Sequence, residues 1–178
     1  MPSPEDPSRI FLIGFMCSGK TRVGRELSAL LGRPFHDIDR VIEARTGPLV
    51  PWFQAHGEAA FRELEREVLS DLLQEEQVVI ACGGGTPFSF DNMQRMQRTG
   101  AVVHLDVPLE VLVERCARYG TDRPLLFGLK GEALKERVAT LLQGRLPIYR
   151  QAAYQVKGDR PPTEVAQGIA TALGIQER

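Results

Sequence analysis

The apolar run Ile10-Phe11-Leu12-Ile13 leads straight into Gly14-Phe15-Met16-Cys17-Ser18-Gly19-Lys20-Thr21. Continuously apolar residues of this kind read as a strand covered on both faces. The next eight have the Gly-x-x-x-x-Gly-Lys-Thr spacing of a phosphate-cradling loop, which works only between a strand and a helix. Backbone N–H groups of such a loop, and of the helix start behind it, point inward and bind an anion. Gly14, Cys17, Ser18, Gly19, Lys20, Thr21 and Arg22 are therefore the candidate nucleotide-binding residues. Lys20 is suited to neutralise the β- and γ-phosphates, and the Thr21 hydroxyl to bind Mg²⁺. Cys17 is unexpected at a position that asks for a small, permissive residue; it fits if its φ stays negative. A helix N-terminus lowers a thiol pKa and phosphates raise it, so redox sensitivity belongs to the loop without nucleotide.

The rest of the chain alternates strand and helix. Strands are expected at Arg9–Ile13, Pro34–Asp37, Val78–Cys82, Ala101–Asp106 and Ala153–Val156. Helices are expected at Lys20–Leu31, Gly57–Leu73, Asp91–Arg98, Leu109–Tyr119, Ala133–Tyr149 and Thr163–Leu173. This alternation predicts an α/β fold, a parallel sheet with helices on both faces. At 178 residues the chain suits one domain, 1–178. The first eight residues read as a mobile lead-in with no signal pattern. Asp39–His56 separates the second strand from its helix, and Gly120–Gly131 forms a Gly-bounded loop carrying Arg123, a candidate lid. A formal net charge of −1 gives no reason to expect nucleic acid as a partner. No apolar stretch is long enough to suggest a membrane span. Cys17, Cys82 and Cys116 have neither disulfide-framework nor zinc spacing, so a reducing cytoplasm is the expected compartment.

Ligands of parallel α/β sheets lie beyond the carboxyl ends of the strands, so those ends hold the candidates. Asp37 and Asp39 close the second strand; residues two apart in an extended segment point the same way. Asp37 is assigned to the metal, directly or through water, and Asp39 to the acceptor hydroxyl as base or orienting group. Asp106, which ends the fourth strand, is a rival metal carboxylate, but a helix-start role is preferred for it. His104 is read as a core or cleft-wall residue. Gly83-Gly84-Gly85 after a buried strand suggests a ligand lying against bare peptide N–H groups. Arg62 and Glu65 share a helix face. They are either a surface ion pair or a guanidinium held as a fork for a carboxylate. Arg145, taken alone, has the same ambiguity.

Together these segments resemble the shikimate kinase family from about Ile10 to Leu173. The likeness rests on GFMCSGKT, DID at Asp37–Asp39, GEAAFRELE at Gly57–Glu65, GGG at Gly83–Gly85, RPLL at Arg123–Leu126 and RLPIY at Arg145–Tyr149. It implies a three-layer α/β/α kinase with a five-stranded parallel sheet in the order 2-3-1-4-5. It further implies ATP and shikimate as partners, Mg²⁺ as cofactor, and 3-phosphoshikimate and ADP as products, on the route to chorismate and the aromatic amino acids. Residues 39–73 would form the shikimate-binding region and 118–131 the lid of a monomer. Carried over by position, Asp39, Arg62, Glu65, Gly84, Gly85 and Arg145 would meet shikimate. Lys20, Asp39 and Arg123 would be catalytic, with Arg123 and Arg115 also on the nucleotide. A gluconate kinase and a regulator without catalysis are the alternatives. Three departures from the family stand out: Cys17 for a common glycine, Ala81-Cys82 before the glycines, and Pro51-Trp52 within the insertion.

Overall fold

The computed structural model describes residues 6–120 and 122–175. Five strands, β1 (Arg9–Ile13), β2 (Phe35–Asp37), β3 (Val78–Ala81), β4 (Ala101–Asp106) and β5 (Tyr154–Lys157), pair in parallel in the order β2-β3-β1-β4-β5. β1 is therefore central, and its side chains alternate between two buried layers. Ile10 and Leu12 pack with helices α1 (Lys20–Leu31) and α7 (Pro162–Ala172), through Val23, Leu27, Val165 and Ile169. Phe11 and Ile13 pack on the opposite side with α2 (Ile38–Thr46), α3 (Leu49–Leu72), α4 (Asn92–Thr99), α5 (Leu109–Tyr119) and α6 (Gly131–Tyr149). Among the described residues no helix is long and apolar enough to cross a membrane.

The expected elements recur with end shifts of one or two residues, except between β2 and β3. There the Asp39–His56 segment, read as an insertion, is helical. Asp37 starts α2 as its cap, its carboxylate accepting from the N–H groups of Asp39 (3.0 Å) and Arg40 (3.4 Å). Pro51 does not interrupt α3, because it falls in the first turn, where N–H groups have no helical partner. The break comes instead at Gly57, with φ 83 and ψ 173, a conformation that favours glycine. The helix expected from Gly57 is thus the second limb of a kinked α3. Residues 1–5 of the expected mobile lead-in lie outside the described residues. Asp6 and Pro7 hold the Arg33 guanidinium, and the Ser8 carbonyl accepts the Val78 N–H at 3.1 Å.

The lid segment is a string of turns. Carbonyls of Gly120, Arg123 and Leu126 accept the N–H groups of Arg123, Leu126 and Leu129, each at 3.0 Å. Leu126 is buried in the main core and anchors it.

α1 lies close on β2 because residue 24 has no side chain. A β-carbon on Gly24 would come within 2.2 Å of the Phe35 ring. Gly24→Ala is expected to destabilise the protein by about 1–3 kcal/mol through overpacking. The added change Phe35→Leu should recover much of that loss. Chemical denaturation of the single and double variants measures both.

Candidate active site

The phosphate loop turns tightly, with the Ser18 N–H donating to the Phe15 carbonyl at 3.1 Å. Gly14 and Gly19 take φ 149 and 97. Cys17 has φ 62, so the condition of a negative φ, under which it would fit freely, is not met. A residue with a β-carbon is strained there by about 1–2 kcal/mol. Lys20 is buried, and its Nζ donates to the carbonyls of Gly14 (2.8 Å) and Phe15 (2.7 Å) and to Ser18 Oγ (3.3 Å). Burial, reinforced by the charge of Arg123, lowers the Lys20 ammonium to about 8. It remains largely protonated at neutral pH.

Thr21 Oγ1 donates to Asp37 Oδ2 at 2.5 Å, while the other Asp37 oxygen caps α2. A hydroxyl and one carboxylate make the sparse protein share of a Mg²⁺ site whose other oxygens come from phosphate and water. This donor set fits that ion. Asp39 lies on the same wall, though for a different reason than expected. It belongs to the first turn of α2 rather than to extended chain, and the helix start swings it toward the loop. Its Oδ2 accepts Arg123 Nη1 from the lid at 2.8 Å. Burial pushes the Asp39 carboxyl up, against the opposing pull of Arg123. Asp106 is solvent-exposed and makes no side-chain cap among the described hydrogen bonds, so its expected helix-start role is not seen. His104 is a buried core residue, as expected, stacked on Tyr149 with ring centroids 5.1 Å apart.

Arg62 and Glu65 are not a surface pair. Glu65 is wholly buried; its Oε2 accepts from Arg62 Nη1 at 2.5 Å and its Oε1 from the Thr86 hydroxyl at 2.8 Å. Burial pushes the Glu65 carboxyl up, and Arg62 opposes that push. The glycine turn exists partly to admit these side chains. A β-carbon on Gly83 would sit 2.5 Å from Glu65 Oε1, and one on Gly85 would sit 2.5 Å from the Arg62 guanidinium. At Gly84 it would meet Arg145 Nη1 at 3.1 Å and the Met16 N–H nitrogen at 3.2 Å. Arg145 is buried with its guanidinium 5.7 Å from the Phe15 ring and 5.5 Å from the Phe88 ring. Its Nη1 has no hydrogen-bond partner among the described residues. A buried cationic donor left free in this way is suited to an anion.

Two cavities meet here. One of about 420 Å³ is lined by Cys17, Gly19, Lys20, Thr21, Arg22, Asp37, Arg115 and Arg123. Gly14 and Ser18, expected to touch nucleotide, do not line it; they face Lys20 instead. Arg115 bonds the carbonyls of Ser18 (3.2 Å) and Gly158 (3.3 Å), tying the loop to the segment after β5. A smaller cavity of about 50 Å³ is lined by Arg62, Glu65, Gly83, Gly84, Gly85 and Arg145. Met16, Asp39, Gly84 and Arg123 border both. The sequence reading missed Tyr119, Gly158, Arg160 and Pro162 around the larger cavity, and Leu49, Phe53 and Phe61 around the smaller. Gly158, Arg160 and Pro162 follow the carboxyl end of β5, the place where ligands of parallel sheets lie. No comparable signal marks the apolar lining.

A phosphate loop with a buried lysine, opening onto a second pocket of ionised side chains, defines a P-loop kinase acting on a small polar acceptor. The family model for shikimate kinase matches residues 16–174. The shikimate kinase of Aquifex aeolicus is 43% identical over 166 residues, 93% of this chain and 95% of that protein. The structure of shikimate kinase from Bacteroides thetaiotaomicron superposes with a TM-score of 0.88 at 38% identity, covering 94% of this chain and 99% of the other. That of the Acinetobacter baumannii enzyme in complex with shikimate does so with a TM-score of 0.87 at 37% identity, covering 96% and 95%. The chain belongs to the shikimate kinase family.

Thr86 deserves a direct test, because its hydroxyl holds the Glu65 oxygen that Arg62 does not. Thr86→Val should cost about 1.5–3 kcal/mol, the range for a hydrogen bond to a charged group. Thr86→Ser should restore most of it. Denaturation midpoints of the two variants provide the comparison.

Proposed function

We propose that this kinase transfers the γ-phosphoryl group of ATP to the 3-hydroxyl of shikimate, yielding 3-phosphoshikimate and ADP for chorismate and aromatic amino-acid synthesis. The observation that carries this reading is the Asp39–Arg123 pair, 2.8 Å apart on the boundary shared by the two cavities. ATP occupies the larger cavity. The loop N–H groups and Lys20 take its phosphates, and Arg22 and Arg115 lie along the same wall. Thr21 and Asp37 would hold Mg²⁺, which when bound neutralises charge on the β- and γ-phosphate oxygens.

Shikimate occupies the smaller cavity. Arg62, aimed by Glu65, and Arg145, with its free Nη1, take the carboxylate as a pair of forks. Gly84 and Gly85 supply close backbone. This distant grip orients the ring so that its hydroxyl lies at Asp39. Arg123 occupies one Asp39 oxygen, leaving Oδ1, beside Gly83, to accept the hydroxyl proton. The loose transition state of phosphoryl transfer needs orientation there more than a strong base. Arg123 also brings positive charge to the transferring group, and the lid that carries it excludes water. The reading is of a single kinase domain working as a monomer in the cytoplasm, a compartment that suits three free cysteines. Residues 39–73 form its acceptor region and 118–131 its lid.

A coupled ADP-release assay with shikimate, gluconate and no acceptor tests the assignment. ADP should form rapidly with shikimate alone. Turnover with gluconate alone would overturn it, as would silence with all three. Asp39→Asn should lose about 10²–10⁴-fold in turnover, the usual scale of a general base or its orienting equivalent, while ATP still binds. Near wild-type turnover in that variant would contradict the role given to Asp39.

A further inference from the structure

The transfer mechanism gives no task to the Cys17 side chain. Yet Cys17 holds a left-handed φ of 62, and its half-buried thiol lines the nucleotide cavity. Directly beneath it lies Cys116 of α5, fully buried, with Sγ 4.0 Å from the carbonyl oxygen of Met16. That carbonyl belongs to the peptide that leads into Cys17, and Cys17 packs against the same buried cluster that contains Cys116. The third cysteine, Cys82, faces elsewhere, its Sγ 3.5 Å from Met96 Sδ.

We propose that Cys17 and Cys116 are an oxidisable thiol pair, a modification site at which a hydroperoxide closes a disulfide through the wall of the nucleotide cavity and switches nucleotide binding off. The inference rests on reading that cavity as the ATP site. The Cys17 thiolate attacks one peroxide oxygen, the O–O bond breaks, and the other oxygen leaves as water or an alcohol after taking up a proton. Cys17 is then a sulfenic acid. The Cys116 sulfur attacks the Cys17 sulfur, the S–S bond forms, and the S–OH bond breaks. The hydroxide leaves as water with the Cys116 proton. Two thiols lose two electrons in all, and one peroxide gains them.

The surroundings favour this order. Contact with the Cys116 thiol, then the charges of Arg123 and Lys20, outweigh burial and lower the Cys17 thiol to about 7. Cys116 is pushed up, chiefly by its tie to Cys17, so Cys17 reacts first. Oxidation of Cys17 to an uncharged sulfenic acid removes its share of that push, leaving only burial against the attack by Cys116. A disulfide fastens the loop to α5, whereas phosphate binding needs its N–H groups free to converge on the anion. Bound nucleotide covers Cys17 and adds negative charge beside it, so nucleotide protects the pair.

The test treats the intact protein with hydrogen peroxide, with and without MgADP, and maps its peptides without reduction. A Cys17–Cys116 linked peptide should form, MgADP should suppress it, and dithiothreitol should remove it. Affinity for a fluorescent ADP analogue should fall in parallel by about 10²-fold, the scale of an ångström-level misplacement at a site, and recover with dithiothreitol. Cys116→Ala lies outside both cavities and should keep basal activity, give no linked peptide, and lose reversibility as Cys17 oxidises further. Should that variant not fold, the wild-type peptide map decides alone. The proposal fails if no linked peptide forms, if the link engages Cys82, if saturating MgADP leaves its yield unchanged, or if the linked protein binds the analogue normally. The peptide map does not depend on the acceptor, so its outcome is separate from that of the shikimate assignment.

Discussion

Unlike charges buried against one another govern this site. Glu65 is fully enclosed and Asp39 half-buried; burial pushes both carboxyls up, and an arginine beside each opposes that push: Arg62 one helical turn earlier, and Arg123 from the lid. An isolated buried carboxylate would take up a proton, and an isolated buried guanidinium would draw in water or another partner. Pairing opposes both tendencies, and the sheet order makes the pairing possible. Because β1 is central, with β3 beside it and β2 next, the phosphate loop, the glycine turn and the two aspartates converge at one edge. Bare backbone at Gly83 and Gly85 then lets Glu65 and Arg62 approach closely enough to bond.

Arg145 is the exception to the pairing. It is buried between two aromatic rings with one nitrogen unpartnered among the described residues, close to the paired Arg62. Two guanidinium groups beside one small cavity are an arrangement that a carboxylate resolves, and this is the observation behind the acidic acceptor proposed for it. Arg123 joins the two cavities: it bonds Asp39 at 2.8 Å, and both residues border each cavity.

Much of this was legible from residue order. Strand β1, the loop and the glycine turn lie where the spacing put them, and the 2-3-1-4-5 order came from the family resemblance. What the sequence could not supply was local conformation. The polar, proline-containing stretch after β2 reads as an insertion, but a cap from Asp37 and a first-turn position for Pro51 make it helical. That helix start, not strand alternation, brings Asp39 beside Asp37. The glycines read as room for a ligand, whereas Gly83 and Gly85 make room for protein side chains. Cys17 reads as a residue that fits if its φ is negative, but the loop geometry imposes the opposite sign. The rim after β5 went unread because Gly158, Arg160 and Pro162 form no motif, although a strand-end rule points to them.

The hydroxyl delivered to Asp39 is, on the proposed function, the one that takes the phosphate. The most direct measurement is phosphorus NMR of the product formed from ATP, Mg²⁺ and shikimate. A single phosphomonoester on the 3-hydroxyl, in step with ADP, is the predicted result. Phosphate on another hydroxyl, or only inorganic phosphate beside unchanged shikimate, would contradict it.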